Sequence, residues 1–174
     1  MSDELSLDIR GSLSWLRQES LPLSTVADAA RLEYAVNLPD GDEAGQVDAL
    51  WHGEIELAAA AQQDLDLTNL TMTMFGDTIS VDLASVKALL IVNTATEAGD
   101  DLLLGGAGSG GDAWAGPWNN DQDAKQVVSA GSAALLVNRL EEWPVTAGSA
   151  YVLRIKNNGA GLITARIVIA GIAN

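Results

Sequence analysis

Residues 5–15 read Leu5-Ser6-Leu7-Asp8-Ile9-Arg10-Gly11-Ser12-Leu13-Ser14-Trp15. Apolar side chains fall on the odd positions and polar ones on the even positions, with Gly11 between. Successive side chains of an extended chain point to opposite sides, so this stretch reads as a strand with one apolar and one polar face.

The same period of two returns along the chain: Leu32-Tyr34-Val36, Val47-Ala49-Trp51, Ile55-Leu57, Ile79-Val81-Leu83, Tyr151-Leu153-Ile155 and Ala165-Ile167-Ile169. Three runs are apolar without alternation, Ala88–Val92, Leu102–Leu104 and Ala133–Val137. Short continuous runs of this kind suit strands covered on both faces. Turn residues punctuate the segments: Pro39-Asp40-Gly41-Asp42, Ala98-Gly99-Asp100, Ala147-Gly148-Ser149 and Asn157-Asn158-Gly159. The last stands between two strand segments and predicts a hairpin. The expected fold is all-β, a single β-sandwich.

Two places compete with that reading. Thr25-Val26-Ala27-Asp28 resembles a capping box, with Ala29 to Tyr34 able to continue a short helix. Ala58 to Gln63 has high helix propensity. The sandwich is therefore expected to carry room for one short helix. The longest irregular stretch, Gly105 to Gln126, is Gly-rich and holds Trp114 and Trp118. It is expected to be a long loop. The chain divides into an N-terminal strand or arm segment, residues 1–45, and a β-sandwich domain, residues 46–174.

Composition narrows the function. The 174 residues carry 24 acidic and 9 basic side chains, a formal net charge of −15. A field of that sign repels phosphate backbones and anionic lipid surfaces, so neither nucleic acid nor membrane is an expected partner. The acidity serves solubility, or suits a saline medium or a basic partner. There is no cysteine, so disulfides, thiolate metal sites and a Cys nucleophile are excluded. The acidic start Met1-Ser2-Asp3-Glu4 lacks the basic region of a signal peptide, and no apolar run is long enough for a membrane helix.

No catalytic residue is assigned. His52 is the single histidine, too few for an imidazole-based zinc site, and reads as a strand residue. The acid pairs Asp64/Asp66 and Glu54/Glu56 fall two apart and read as solvated strand faces rather than a glycosidase pair. Calcium is the one ion for which the loops offer clustered oxygen ligands, at Asp40-Gly41-Asp42-Glu43 and Asn119-Asn120-Asp121-Gln122-Asp123. Neither matches the EF-hand spacing, and Asn and Asp are ordinary turn residues; no cofactor is required. The glycines at 105–111 lack the Lys-Ser or Lys-Thr and the following helix that a phosphate cradle needs. Trp114 and Trp118 are candidate interface residues, able to stack on a sugar or anchor a partner, against the alternative that the loop tucks them onto the sandwich. Trp15, at the end of the opening strand, is a third interface candidate. Trp143 is expected to plug an end of the core.

A run of strand-and-turn pieces follows Trp51: Phe75-Gly76-Asp77, Leu83, Val86-Lys87-Ala88-Leu89 running into Ile91 and Asn93-Thr94, Leu102-Leu103-Leu104-Gly105-Gly106, and Val145-Thr146-Ala147-Gly148. Leu153-Arg154-Ile155, Asn157-Asn158-Gly159-Ala160 and Ile167-Val168-Ile169 with Gly171 complete the pattern, over residues 51–171. In this phrasing the chain resembles small structural proteins of tailed bacteriophages. The resemblance implies a jelly-roll-like sandwich in the virion, made in the host cytoplasm, as a capsid decoration or fibre subunit. It implies a homo-oligomer, with a trimer the expected count, docked on the major capsid protein or another virion protein. The first 45 residues do not match and are expected to anchor the subunit or swap between neighbours. A carbohydrate-binding sandwich using Trp114 and Trp118 is the alternative.

Overall fold

The computed structural model describes residues 4–74, 76–106 and 112–174. Phe75 of the matching pattern, the start Met1-Ser2-Asp3 and the centre of the Gly-rich stretch, 107–111, lie outside them.

Among the described residues thirteen strands follow in chain order: β1 (Leu7–Leu21), β2 (Ser24–Leu38), β3 (Ala49–Leu57), β4 (Gln62–Asp66), β5 (Leu70–Met74), β6 (Asp77–Val81), β7 (Leu83–Asn93), β8 (Leu102–Gly105), β9 (Lys125–Val128), β10 (Ala133–Val137), β11 (Trp143–Pro144), β12 (Val152–Asn157) and β13 (Ile163–Ala173). The only helical piece among the described residues is one 3-10 turn, Gly116–Trp118.

Nine of the strands build two facing sheets. One has the order β10-β7-β13-β3, with β11 also pairing β7, and the other β4-β12-β8-β9. Leaving aside the two-residue β11 and numbering the other eight in chain order, the first, third, sixth and eighth lie in one sheet and the second, fourth, fifth and seventh in the other, with the first beside the eighth and the second beside the seventh. That order, with every pair antiparallel, is a jelly roll. The core lies between the sheets. Trp51, Ile55, Leu89, Ile91, Ile167 and Ile169 enter from one side, and Leu65, Leu102, Leu104, Val128, Leu153 and Ile155 from the other. The sequence alternation is what allows this: in β12 Leu153 and Ile155 point inward while Val152, Arg154 and Lys156 point out. The β5–β6 hairpin covers one end, where the Trp51 indole N–H donates to the Thr71 carbonyl at 2.9 Å.

Both helix expectations are overturned. Residues 24–38 form strand β2, because each residue from Ser24 to Leu38 has a cross-strand partner in β1, and a continuous ladder outweighs a local capping signal. Ala58–Ala61 is a tight turn, with Ala60 in the left-handed region (φ 60°) and the Ala61 N–H donating to the Ala58 carbonyl. It feeds β4 directly. Two strand readings also change. Asn157-Asn158-Gly159 does not close a hairpin, since β12 and β13 lie in opposite sheets; the segment crosses the end of the sandwich. Ala133–Val137 is a half-exposed edge strand rather than one covered on both faces.

A bulge in β7 positions everything on the outer face of the larger sheet. Ala88 pairs with Ala170 and Val86 with Gly171, leaving Lys87 unpaired between them. Bulges place two residues opposite one and re-aim side chains. Here Val86 joins the core while Ala88 and Ala170 face out. Gly171 is required at this point, because a Cβ there would collide with the Ser85 carbonyl oxygen.

Candidate interaction surface

Strands β1 and β2 pair with each other and with no other strand among the described residues. They form a ribbon of fifteen residues a side, about 50 Å long at the rise of an extended chain. The register puts Leu7 opposite Leu38, Ile9 opposite Val36, Gly11 opposite Tyr34, Leu13 opposite Leu32 and Trp15 opposite Ala30. Opposed residues share a face, so these five rungs make one continuous apolar face. The next rung on the same side is Arg17 with Asp28. The reverse face is polar over the inner half. There Asn37 donates to Asp8 at 3.0 Å and Arg31 pairs with Glu33 at 2.7 Å.

The apolar face serves two environments. Its inner rungs dock on the sandwich: Ile9 and Leu38 are buried against Val47, Ala88 and Ala170, flanked by Leu5, Leu7, Val36, Leu50 and Val137. The Leu5 N–H also donates to the Asp40 carboxylate at 3.1 Å. Beyond Ile9 the same face leaves the body. Leu13 is 65% exposed, Leu32 65%, Tyr34 48% and Trp15 45%. Leu16, on the reverse face, and Leu23 and Val26 toward the tip are exposed as well. A two-stranded ribbon by itself is marginally stable in water, and contiguous exposed apolar surface of this kind marks an interaction site.

Charge separates the arm from the body. Residues 7–38 hold three arginines (Arg10, Arg17, Arg31) against four acids (Asp8, Glu19, Asp28, Glu33), a net of −1. Residues 39–174 hold six cations against eighteen acids, a net of −12. The arm is therefore a nearly neutral, amphipathic extension of a strongly acidic body.

Of the tryptophans expected at an interface, the structure leaves Trp15 exposed on the arm and turns the other two inward to different degrees. Trp114 is 1% exposed and lies in the core. Its indole N–H donates to the Pro144 carbonyl at 3.1 Å, and the rings of Trp118 and Trp143 meet it edge-on with centroids at 6.3 Å. With both faces packed, Trp114 offers nothing to a sugar or a partner, which corrects its assignment as an interface residue. Trp118 is half-buried against the same cluster, over Gly105. Gly105 has φ 83°, and a Cβ there would meet the Ala124 carbonyl and the Trp118 ring, so this glycine serves close packing. Trp143 packs against the core at its margin.

The candidate chemical groups are spread apart. His52 lies exposed on the outer face of β3, opposite Val168, with Glu54 paired to Arg166 nearby at 2.8 Å. Asp64 makes a two-point hydrogen bond with Arg154 across β4 and β12, at 2.7 and 2.8 Å. The guanidinium holds the Asp64 carboxyl below its ordinary value, mainly through these hydrogen bonds, against the opposing effect of partial burial. Asp66 accepts from the backbone and hydroxyl of Thr68, two residues on. In the loops weighed for calcium, Asp40 receives the Leu5 N–H and Asp121 the Asp123 N–H. These carboxylates act as turn and docking acceptors.

Leu13, Leu32 and Tyr34 were not among the expected interface residues. Their signal was present, as alternation on both sides of Pro22, but alternation alone assigns such residues to the core of the sandwich. No family model, curated protein or solved structure matches the chain.

Proposed function

We propose that this chain is a non-enzymatic structural subunit of a bacteriophage virion, a capsid decoration or stabilising protein that assembles as an oligomer on the particle. The observation that carries the reading is the overhanging arm. Its apolar face is uncovered from Gly11 outward, while its inner rungs are fixed to a rigid sandwich. A rigid body with one adhesive extension suits a subunit that contributes a small contact many times over a repeating lattice, where many weak attachments add. The acidic body suits a surface turned to the medium. The jelly roll by itself carries no function, since the architecture serves capsid and lectin domains alike. The sequence resemblance supplies the phage assignment.

The test is cosedimentation of the purified full-length chain with shells of the phage that encodes it. Binding that saturates at a fixed number of copies per shell is expected. Protein left wholly in the supernatant at micromolar concentration would overturn the assignment.

A further inference from the structure

We propose that two copies of this chain pair edge to edge through β1, antiparallel, about a two-fold axis that passes through the joined ribbons between their Leu16 residues. The tip of each arm, Pro22-Leu23, then lands in an apolar groove at the root of the other. The inference goes beyond the structural-subunit reading and does not depend on it.

The free edge of β1 is the first argument. β1 pairs with β2 on one side and with no strand on the other among the described residues. Its fifteen rungs run without a bulge and it contains no proline, so two common devices that block a strand edge are missing. Every residue from Arg10 to Ser20 is exposed. The two-residue turn Pro22-Leu23 makes Leu21–Ser24 a hydrogen-bonded rung, and bonded rungs alternate from there. The odd residues of β1 therefore bond to β2, while Ser12, Ser14, Leu16, Gln18 and Ser20 turn their N–H and C=O groups outward. Antiparallel pairing centred on Leu16 sets Ser12 against Ser20, Ser14 against Gln18 and Leu16 against Leu16, each a bonded rung. One surface serves both copies, as a closed two-fold contact requires.

Register and reach agree. Leu16 is the single large apolar residue on the reverse face of β1 and is 62% exposed; the axis gives it its own copy to pack on. On the apolar face Trp15 meets Arg17 of the other copy, a cation beside an aromatic ring, and Leu13 meets Glu19. A slip of one residue per copy outward would set Arg17 against Arg17. The same register puts Leu23 of one copy opposite Ile9 of the other. Leu23 is 100% exposed. Beside Ile9 lies a groove floored by Leu90, Leu135 and Val168 and walled by Leu7 and Ile9 of β1, with no residue from β2. A foreign strand would have to bring both an edge and an apolar tip at this spacing, and a second copy has both.

The arms lie side by side and not face on face, so the sandwich beneath Ile9 and Val36 does not meet the other arm's bonded length. That length, Ser12–Ser20, falls wholly within the exposed part of both arms. Each body sits under residues up to Ile9, at the tip of the other arm. The two Ile9 residues stand fourteen positions apart, about 46 Å, far beyond the roughly 8 Å screening length at physiological salt. Bodies of net −12 therefore do not oppose the contact. The pairing is two-fold, in place of the three-fold count that the resemblance implies.

Sedimentation of the full-length chain over a concentration series tests this, with a species of twice 18.1 kDa expected. Ser14→Pro removes a donor that points out of the hairpin and should weaken pairing by about tenfold or more, with an unchanged far-ultraviolet spectrum. Ala29→Pro does the same to the free edge of β2 and should leave pairing intact. Leu23→Asp sets a charge in the groove and should weaken pairing as well. The chain has no cysteine, so Leu16→Cys reports the register. Across the axis its two Cα atoms stand about 5.5 Å apart, within disulfide reach, and copper phenanthroline should oxidise the two thiols to one inter-copy disulfide. Ser12→Cys, about 26 Å from its counterpart, should not link. A monomer, a trimer, a dimer indifferent to Ser14→Pro or Leu23→Asp, a dimer lost with Ala29→Pro, or equal linking at both cysteine positions overturns the pairing. If Ser14→Pro alters the spectrum, the cysteine pair decides. Cosedimentation with shells is scored apart. A monomer that binds shells keeps the structural-subunit reading, and a Leu16-centred dimer that ignores them keeps the pairing and removes the virion role.

Discussion

Replacing Asn157 with Ala should unpick the crossing between the two sheets. Asn157 is fully buried at the end of β12, where the chain leaves one sheet for the other. Its side-chain amide donates to the carbonyls of Leu57 (3.0 Å), Ala58 (3.0 Å) and Gly161 (2.7 Å), and its oxygen accepts the Gly159 N–H at 2.7 Å. Two amide protons shared among three carbonyls, plus one accepted bond, amount to three effective hydrogen bonds. At about 1 kcal/mol net each, and more where a buried group is left unpaired, the loss is about 3–5 kcal/mol. That is a large share of the roughly 5–15 kcal/mol by which a domain is stable, and lowers the melting midpoint by about 6–20 °C for a chain of this size. Urea unfolding followed by tryptophan fluorescence, at matched protein concentration, measures it, with an unchanged denaturant slope certifying the comparison. Asn157→Asp keeps the acceptor but sets a buried carboxylate against three carbonyls. Burial raises its pKa, so its destabilisation should deepen as pH rises through the folded-state value. A loss under about 1 kcal/mol for Asn157→Ala would refute the reasoning, because a hub worth one hydrogen bond or less is not what fixes the crossing.

Two further outcomes are expected. Trp114→Ala should cost about 3–5 kcal/mol in the same urea assay, as removal of a large aromatic from a packed core does; an unchanged midpoint would place the ring outside the core. Asp64→Asn should lower stability by no more than about 1 kcal/mol near neutral pH, since the pair with Arg154 is partly solvated. The folded-state pKa of Asp64 lies below its ordinary 3.8, so its contribution is complete above that value and disappears as pH falls through the folded-state value. A difference between wild type and Asp64→Asn that grew on acidification would contradict the sign.

The strands were legible because a local property fixes them. Alternation at Leu153-Ile155 or Ala165-Ile167-Ile169 announces an apolar side wherever the strand ends up. The misread pieces are those where a distant partner decides. Thr25–Tyr34 satisfies a helix signal until β1 supplies a ladder for it. Asn157-Asn158-Gly159 is good hairpin chemistry in isolation, yet its strands belong to opposite sheets. Asn157 itself reads as a turn residue, and only the approach of the Leu57–Ala58 backbone makes it a buried hub.

The candidate surface divides the same way. That Leu13, Trp15, Leu32 and Tyr34 share a side is written in their spacing, as are the strand content, the acidity and the lack of thiol chemistry, since each depends only on the residues and their near neighbours in the chain. What covers an apolar side is not a local property. Tertiary packing drew Trp114 into the core from a glycine-rich stretch, and closed the body with nine strands in two sheets. With that body complete, the apolar rungs of β1 and β2 beyond Ile9 have nothing among the described residues of their own chain to bury against. Burial depends on which surfaces arrive from far along the sequence, and the fold alone determines which surfaces those are.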